Sequence, residues 1–177
     1  AVGSPGNFIQ MTAGPHAGRL VLPLYEVVPI SEMEQPHRLT AAYSDDLGET
    51  WMLGARMSYE HIKGWGTEAQ IAELDGGKLL MSARDETGNL GRIVSTSDDG
   101  GATWSAATFD TQLKTPPCMS SLVAMNVPNG KRVLFHTLPN TDGARENGQL
   151  YRSEDGGATW AFDQLIYPDG FAYSALV

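Results

Sequence analysis

The chain has 177 residues, a formal net charge of −9 and a single cysteine, with 20 glycines and 10 prolines. An acidic balance without a run of like charge speaks against nucleic acid and against an anionic membrane surface as partners. The lone Cys118, expected to be a buried thiol, excludes an internal disulfide framework and a cysteine-only zinc site, and no run of 18 apolar residues exists to cross a bilayer as a helix.

The opening AVGSPGNF has no charged region followed by an apolar core, so no signal peptide is visible. Residues 7–11 form a short apolar run and 12–18 (TAGPHAG) a turn. Residues 19–28 read as a strand interrupted only by Pro23, which belongs at an edge or a bulge because it cannot donate to a ladder. A polar loop over 29–37, a strand over 38–43 and a fourth strand near 51–57 complete a four-stranded meander. In the second unit, residues 67–74 (TEAQIAEL) alternate, Asp75-Gly76-Gly77 is a hairpin turn, 78–84 returns, and 91–97 and 103–109 follow. The third unit repeats this with strands at 121–127, 132–138, 148–153 and 160–166, a turn at 128–130 and a long loop at 139–147. Residues 173–177 open a fourth unit, and no helix is expected.

One pattern punctuates all three units. SDDLGETW, SDDGGATW and SEDGGATW fit S-x-D-x-G-x-T-W, and their first serines, Ser44, Ser97 and Ser153, lie 53 and 56 residues apart. Asp46, Asp99 and Asp155 can accept bonds from the backbone of their own turn, and Gly48, Gly101 and Gly157 permit the positive φ such a turn demands. Trp51, Trp104 and Trp160 are expected to bury a flat ring against the unit just closed. A calcium loop of the EF-hand kind needs ligands out to a twelfth-position glutamate, a layout none of the copies has, so no metal is expected.

Units of this size with four short strands each are the size of propeller blades, and a ring of six would need about 325 residues. The expectation is an all-β, six-bladed β-propeller. This chain would supply about three four-stranded blades, near 1–60, 61–115 and 116–170, and the first strand of the next, 171–177, all within one domain.

Up-and-down connectivity puts every box at one end of the units, called here the bottom, and the starts of first and third strands at the top. Glu68 opens the first strand of the second unit and Arg84 ends its second strand; each is eight residues from Gly76, so the two face one another across the hairpin. Arg145 lies in the long loop before the third strand of the third unit, and Tyr173 begins the fourth unit. Singly, each has an ordinary reading as a paired surface charge or a phenol with its hydroxyl at water. Together they place a carboxylate, two guanidinium groups and a phenol on one rim, where radial folds assemble active sites from loops.

With these residues in view, the chain resembles the sialidase (neuraminidase) superfamily, whose bacterial and animal members are six-bladed propellers carrying Asp boxes. IQMTAGPHAGRLVLPLY is similar to the G-x-x-x-GRLV-P stretch of bacterial sialidases, and TEAQIAELDGGKLLMSAR to their N-E-x-Q…L-x-DG-x-L…R stretch. GFAYSALV is similar to their G-Y-S/T strand. The resemblance implies an exo-α-sialidase that hydrolyses terminal sialic acids from glycoconjugates with retention and needs no cofactor. It implies Tyr173 as nucleophile, Glu68 as its general base, and Arg84 and Arg145 as two of three arginines that hold the substrate carboxylate. Thr67 stands where many members have Asn.

The first arginine of the triad and the aspartate acid/base of family members lie in an earlier blade, so the remainder of the propeller is expected to be needed, and the 177-residue chain alone to be inactive. By the same resemblance, a secreted, periplasmic or cell-surface location is expected. Two other readings stay open. One is a non-catalytic Asp-box propeller that binds glycan or protein. The other is a relative with changed chemistry, such as a trans-sialidase, an intramolecular lyase or a hydrolase of a related nonulosonic acid.

Overall fold

A computed structural model describes residues 1–5, 7–27, 37–128 and 130–177. Val28, residues 29–36 of the loop expected over 29–37 and the centre of the 128–130 turn lie outside the described residues, and His37, expected to end that loop, begins a strand. Three antiparallel sheets follow one another along the chain. The first contains β1 (Val2–Gly3), β2 (Ile9–Gln10), β3 (Leu20–Val27), β4 (His37–Ser44) and β5 (Met52–Leu53). The second runs in order β6 (Gly66–Glu73), β7 (Leu79–Asp85), β8 (Arg92–Ser97) and β9 (Thr108–Asp110). The third runs in order β10 (Ser121–Asn126), β11 (Arg132–Pro139), β12 (Glu146–Ser153) and β13 (Ala161–Gly170). The second sheet sits between the other two, with β6 against β3, β4 and β10.

The first sheet keeps the four expected strand positions but divides the outermost of them. Its first strand is split into β1 and β2, both paired along one side of β3, at Leu24–Tyr25 and Leu20–Val21. The gap falls opposite Pro23, which has no N–H to offer a partner. The freed stretch instead reaches the second sheet: Ser4 Oγ accepts from Ala69 N at 3.0 Å, and Gln70 Nε2 donates to Pro5 O at 2.7 Å.

The strands after the first two boxes are shorter than expected because their backbones divide between sheets. Gly54 N donates to Ala41 O within its own sheet, but Ala55 N donates to Ala102 O of the second box, both at 2.8 Å. Residues 171–177, expected to open a further strand, have no ladder partner among the described residues and are not a strand. Asp75–Gly77 closes its hairpin as a single 3-10 turn, with Leu74 N donating to Lys78 O at 2.7 Å.

Strand alternation decides what each sheet interface holds. On β7, Leu79, Met81 and Ala83 join Val21, Leu39 and Ala41 of the first sheet in the larger apolar core. The alternate residues Leu80 and Ser82 face the third sheet, where Leu80 packs with Leu122, Leu134 and Trp160. This second interface is also partly polar. Buried His136 places Nε2 3.0 Å from Ser82 Oγ, and burial pushes its pKa down to about 3.

All three sheets are tied together at the bottom by Glu73, which is only 3% exposed. Its carboxylate accepts from Thr12 N, Thr12 Oγ1 and Ala13 N of the first sheet's turn, and from Arg132 Nη2 of the third sheet at 3.0 Å. Burial pushes Glu73 upward, but these donors outweigh it and hold its carboxyl below the ordinary value.

The boxes close as expected in all three copies. In the second, Ser97 Oγ donates to Asp99 Oδ1 at 2.8 Å and accepts from Gly101 N at 2.9 Å, while Asp99 also accepts from Thr103 N and Thr103 Oγ1. Gly48, Gly101 and Gly157 sit at φ of 94°, 89° and 90°. Bonds from Thr50 and Thr159 hold Asp46 and Asp155 down to about 2. The tryptophans are not equivalent. Trp104 packs on the larger core and Trp160 on the smaller one, whereas Trp51 is 43% exposed, against the expectation for it. Trp160 reaches the preceding sheet, donating from Nε1 to Asp110 Oδ2 at 3.1 Å. Trp51 has no preceding sheet among the described residues to cover it.

Candidate functional site

At the top end, the β6–β7 ladder is irregular. Pairing passes from Ala69↔Ala83 to Gly66↔Asp85 through a register shift, so Thr67 and Glu68 bulge out of the hairpin opposite Arg84. A bulge turns a side chain out of its regular alternation. Here it lets Glu68 Oε2 accept from Arg84 Nη1 at 2.8 Å.

Tyr173 arrives from the far end of the chain. Its hydroxyl donates to Glu68 Oε1 in a short hydrogen bond and accepts from Arg84 Nη1 at 3.2 Å. Its segment is held down on both sides: Phe171 N donates to Arg145 O at 2.8 Å, and Leu176 N donates to Ser121 Oγ at 2.9 Å. Gly148 is required beneath it, since a Cβ there would stand 2.2 Å from the Phe171 ring. Arg145 lies with its guanidinium carbon 5.8 Å from the centre of the Tyr173 ring, and its Nη2 donates to Pro117 O at 2.8 Å.

The structure therefore gathers all four expected residues at one rim. Glu68, Arg84 and Tyr173 touch one another directly; Arg145 faces the Tyr173 ring but makes no bond to the other three. Arg19, in the GRLV stretch, lies at the opposite end, where it pairs with Asp45 at 2.7 Å and donates to Asp99 O of the next box.

The electrostatics are those of a protonated phenol beside an ionic pair. Burial and then the Glu68 carboxylate push the Tyr173 hydroxyl above its ordinary value. Burial alone would lower Arg84, but Glu68 and Glu86 outweigh it and raise it. Tyr173 is 50% exposed, so the phenol stays open to a ligand approaching the rim.

Three further groups were not singled out from the sequence. Glu86 accepts from Arg84 Nη2 at 3.0 Å and from Thr67 Oγ1, fixing the side of Arg84 turned away from Glu68. The signal was available only in part, because Glu86 follows Arg84 by two residues, just past the end of β7. Arg92, opposite Arg84 in the β7–β8 register, is fully buried and donates from Nη1 to Cys118 O at 2.8 Å. Pro117, acceptor for Arg145, carries no local signal at all.

Residues 6–177 match the BNR repeat-like domain family. Over 176 residues the chain is 31% identical to a sialidase of Micromonospora viridifaciens, covering 97% of this chain and 26% of that protein. It is 34% identical to a sialidase of Bacteroides fragilis (strain YCH46), covering 97% of this chain and 28% of the other. Among solved structures, the Hadza microbial sialidase Hz136 superposes with a TM-score of 0.80 at 31% identity, over 98% of this chain and 32% of that one. The intramolecular trans-sialidase of Ruminococcus gnavus superposes with a TM-score of 0.75 at 28% identity, over 97% of this chain and 36% of its own. The chain thus spans between a quarter and about a third of the length of these relatives. With three boxed sheets, this end-on cluster and a family match over nearly its whole length, the chain belongs to the sialidase superfamily, as a BNR-repeat member.

Proposed function

We propose that the protein carrying this chain is an exo-α-sialidase that cleaves terminal sialic acids with retention, and that Tyr173 is its nucleophile. The observation that carries the reading is the hydrogen bond from the Tyr173 hydroxyl to Glu68, with Arg84 touching both. Sialic acid carries a carboxylate on its anomeric carbon, so a carboxylate nucleophile would be repelled, and a neutral phenol avoids this. A phenol is a weak nucleophile near neutral pH, and Glu68 corrects this by accepting its proton as the oxygen attacks. The bond from the anomeric carbon to the leaving oxygen breaks as the bond to Tyr173 Oη forms, and water later hydrolyses the resulting glycoside.

Arg84 and Arg145 supply fixed positive charge for the substrate carboxylate, since a guanidinium binds carboxylates in a fork and does not titrate in this range. Arg84 already gives Nη1 to Glu68 and Tyr173 and Nη2 to Glu86, so it holds the base and the nucleophile as well as the ligand. Arg145 spends one N–H on Pro117 and keeps the rest of its fork. In this reading the ring has six blades, of which the three sheets are consecutive members. The remainder of the ring supplies the third arginine and the acid/base, so the 177 residues alone are inactive.

A second reading concerns the acceptor. Intramolecular trans-sialidases from Ruminococcus gnavus and from leech superpose at 28% identity, both with a TM-score of 0.75. In that outcome the glycosyl–Tyr173 intermediate is taken by a hydroxyl of the same sugar, and mass spectrometry of the released product distinguishes an anhydro sugar from the hydrated one. The test of the main reading is Tyr173→Phe in the full-length protein, assayed on a fluorogenic sialoside. Turnover should fall by about a hundredfold or more; turnover near that of the unaltered protein removes Tyr173 as nucleophile.

A further inference from the structure

Among the described residues Arg92 is the largest fully buried side chain, and it has no ion-pair partner. Burial pushes it down to about 10, which still leaves it charged near neutral pH. Glu68 and Asp85 act on it electrostatically but form no ion pair with it, so its burial is costly, and an apolar residue of similar volume would suit a purely structural role better. What a guanidinium supplies is reach in two directions: Nε donates to Ser82 Oγ at 3.3 Å on β7, and Nη1 donates to Cys118 O at 2.8 Å. Residues 115–120 are largely buried yet belong to no strand, so their carbonyls need partners from outside a ladder. Arg92 satisfies Cys118 O, and Arg145 satisfies the adjacent Pro117 O, each at 2.8 Å. Arg92 is also directly opposite Arg84 in the β7–β8 ladder.

We propose that Arg92 is a positioning residue for the site: by gripping the Cys118 carbonyl it fixes the Pro117 carbonyl on which Arg145 rests, and so sets the spacing between Arg145 and Arg84. The inference rests on the reading of Arg145 as a holder of the substrate carboxylate. Arg145 is exposed, on a loop without a ladder of its own, and its one side-chain hydrogen bond among the described residues is to Pro117. A side chain so placed would otherwise be ordered at the ligand's expense.

The test is a double-substitution cycle in the full-length protein, with KM and kcat on a fluorogenic sialoside and the inhibition constant of a dehydrated sialic acid analogue. Arg92→Met should raise KM and the inhibition constant by about tenfold, the scale of one charge-assisted hydrogen bond. It should leave kcat within about threefold, because Glu68, Arg84 and Tyr173 stay bonded to one another. Arg92→Lys keeps a donor near Cys118 O and should recover part of the loss. In an Arg145→Ala background, Arg92→Met should add nothing further to either constant. Equal effects of Arg92→Met in both backgrounds overturn the inference, as does an unchanged inhibition constant in the single variant. If Arg92→Met does not fold, the same cycle with Arg92→Lys decides by the same criterion. Unchanged inhibition in Arg145→Ala alone overturns the carboxylate reading of Arg145, and this inference with it, so the two failures are told apart.

Discussion

The two ends of the sheets use the same residue types to opposite effect. At the box end, Asp99 takes its bonds from Ser97 and Thr103, two and four residues away, and the other boxes copy it atom for atom. At the other end, Tyr173 meets Glu68 and Arg84 across 105 and 89 residues of chain. A carboxylate whose acceptors are filled by its own turn has little left to offer a ligand, whereas one held by a single arginine and a phenol keeps room for one. The box carboxylates close their own turns for that reason, and in the proposed reading it is Glu68 that takes a proton when the phenol reacts.

The largest expected effect separates the ends by rate against stability. Glu68→Gln in the full-length protein should cut kcat on a fluorogenic sialoside by about a thousandfold, the scale of a lost general base, with the melting temperature little changed. Asp99→Ala should do the reverse. It should lower stability by about 1 kcal/mol, a partly exposed charge losing bonds to its own turn, while kcat of the folded fraction stays as before. Thermal denaturation run beside the assay checks both. A Glu68→Gln protein with near-normal kcat, or an Asp99→Ala protein with kcat as low as Glu68→Gln, would dissolve the distinction.

How much of each end could be read beforehand follows from the same difference in range. The boxes announce themselves because every partner lies within eight residues, and repetition removes chance. Glu68 and Arg84 were legible by counting from Gly76 along a hairpin, which is still a local operation. The bulge that re-aims Glu68 was not, since a register shift leaves no mark in alternation. Trp51 shows the limit from the other side: its box is intact, with Trp51 Nε1 donating to Gly48 O at 3.1 Å, yet its ring is half exposed because cover comes from a neighbouring sheet. Arg92 and Pro117 were invisible for the same reason. Their meaning lies in which sheet stands opposite.

Acid should sharpen the contrast by acting first on the interface behind the site and only later on the boxes. His136 is buried neutral with its pKa lowered from 6.5 to about 3, so its contribution to stability is present above pH 6.5 and is lost as pH falls toward 3. The carboxyls of Asp46 and Asp155 fall from 3.8 to about 2, so theirs is present above pH 3.8 and is lost only as pH falls toward 2. His136→Gln, which keeps a group able to bond Ser82 but does not titrate, should flatten the loss of melting temperature between pH 6.5 and 4. Asp155→Asn should leave that range alone and flatten the curve below it. If both substitutions act in the same pH range, the two ends are not separable by titration.

The smallest effect lies within the boxes themselves. The first box has Leu47 where the others have Gly100 and Gly156, and Leu47 sits at φ 59° with its side chain 78% exposed. A left-handed backbone strains a residue with a Cβ, but glycine loses more chain entropy on folding, so the two effects oppose each other. Leu47→Gly should therefore be neutral or stabilising by no more than about 1 kcal/mol. The reverse change carries the same opposition, but in the second box it meets a steric clash as well. A Cβ on Gly100 would stand 2.9 Å from Arg19 Nη1 and 3.0 Å from the His16 ring, on the arginine that joins the first box to the second. Gly100→Leu should lower the melting temperature clearly, while Gly156→Leu, whose Cβ would meet only Leu74 at 3.6 Å, should lower it less. Denaturation of the three single variants gives the order, and a Gly156→Leu protein as unstable as Gly100→Leu would mean that backbone strain, rather than the Arg19 contact, sets what each box tolerates.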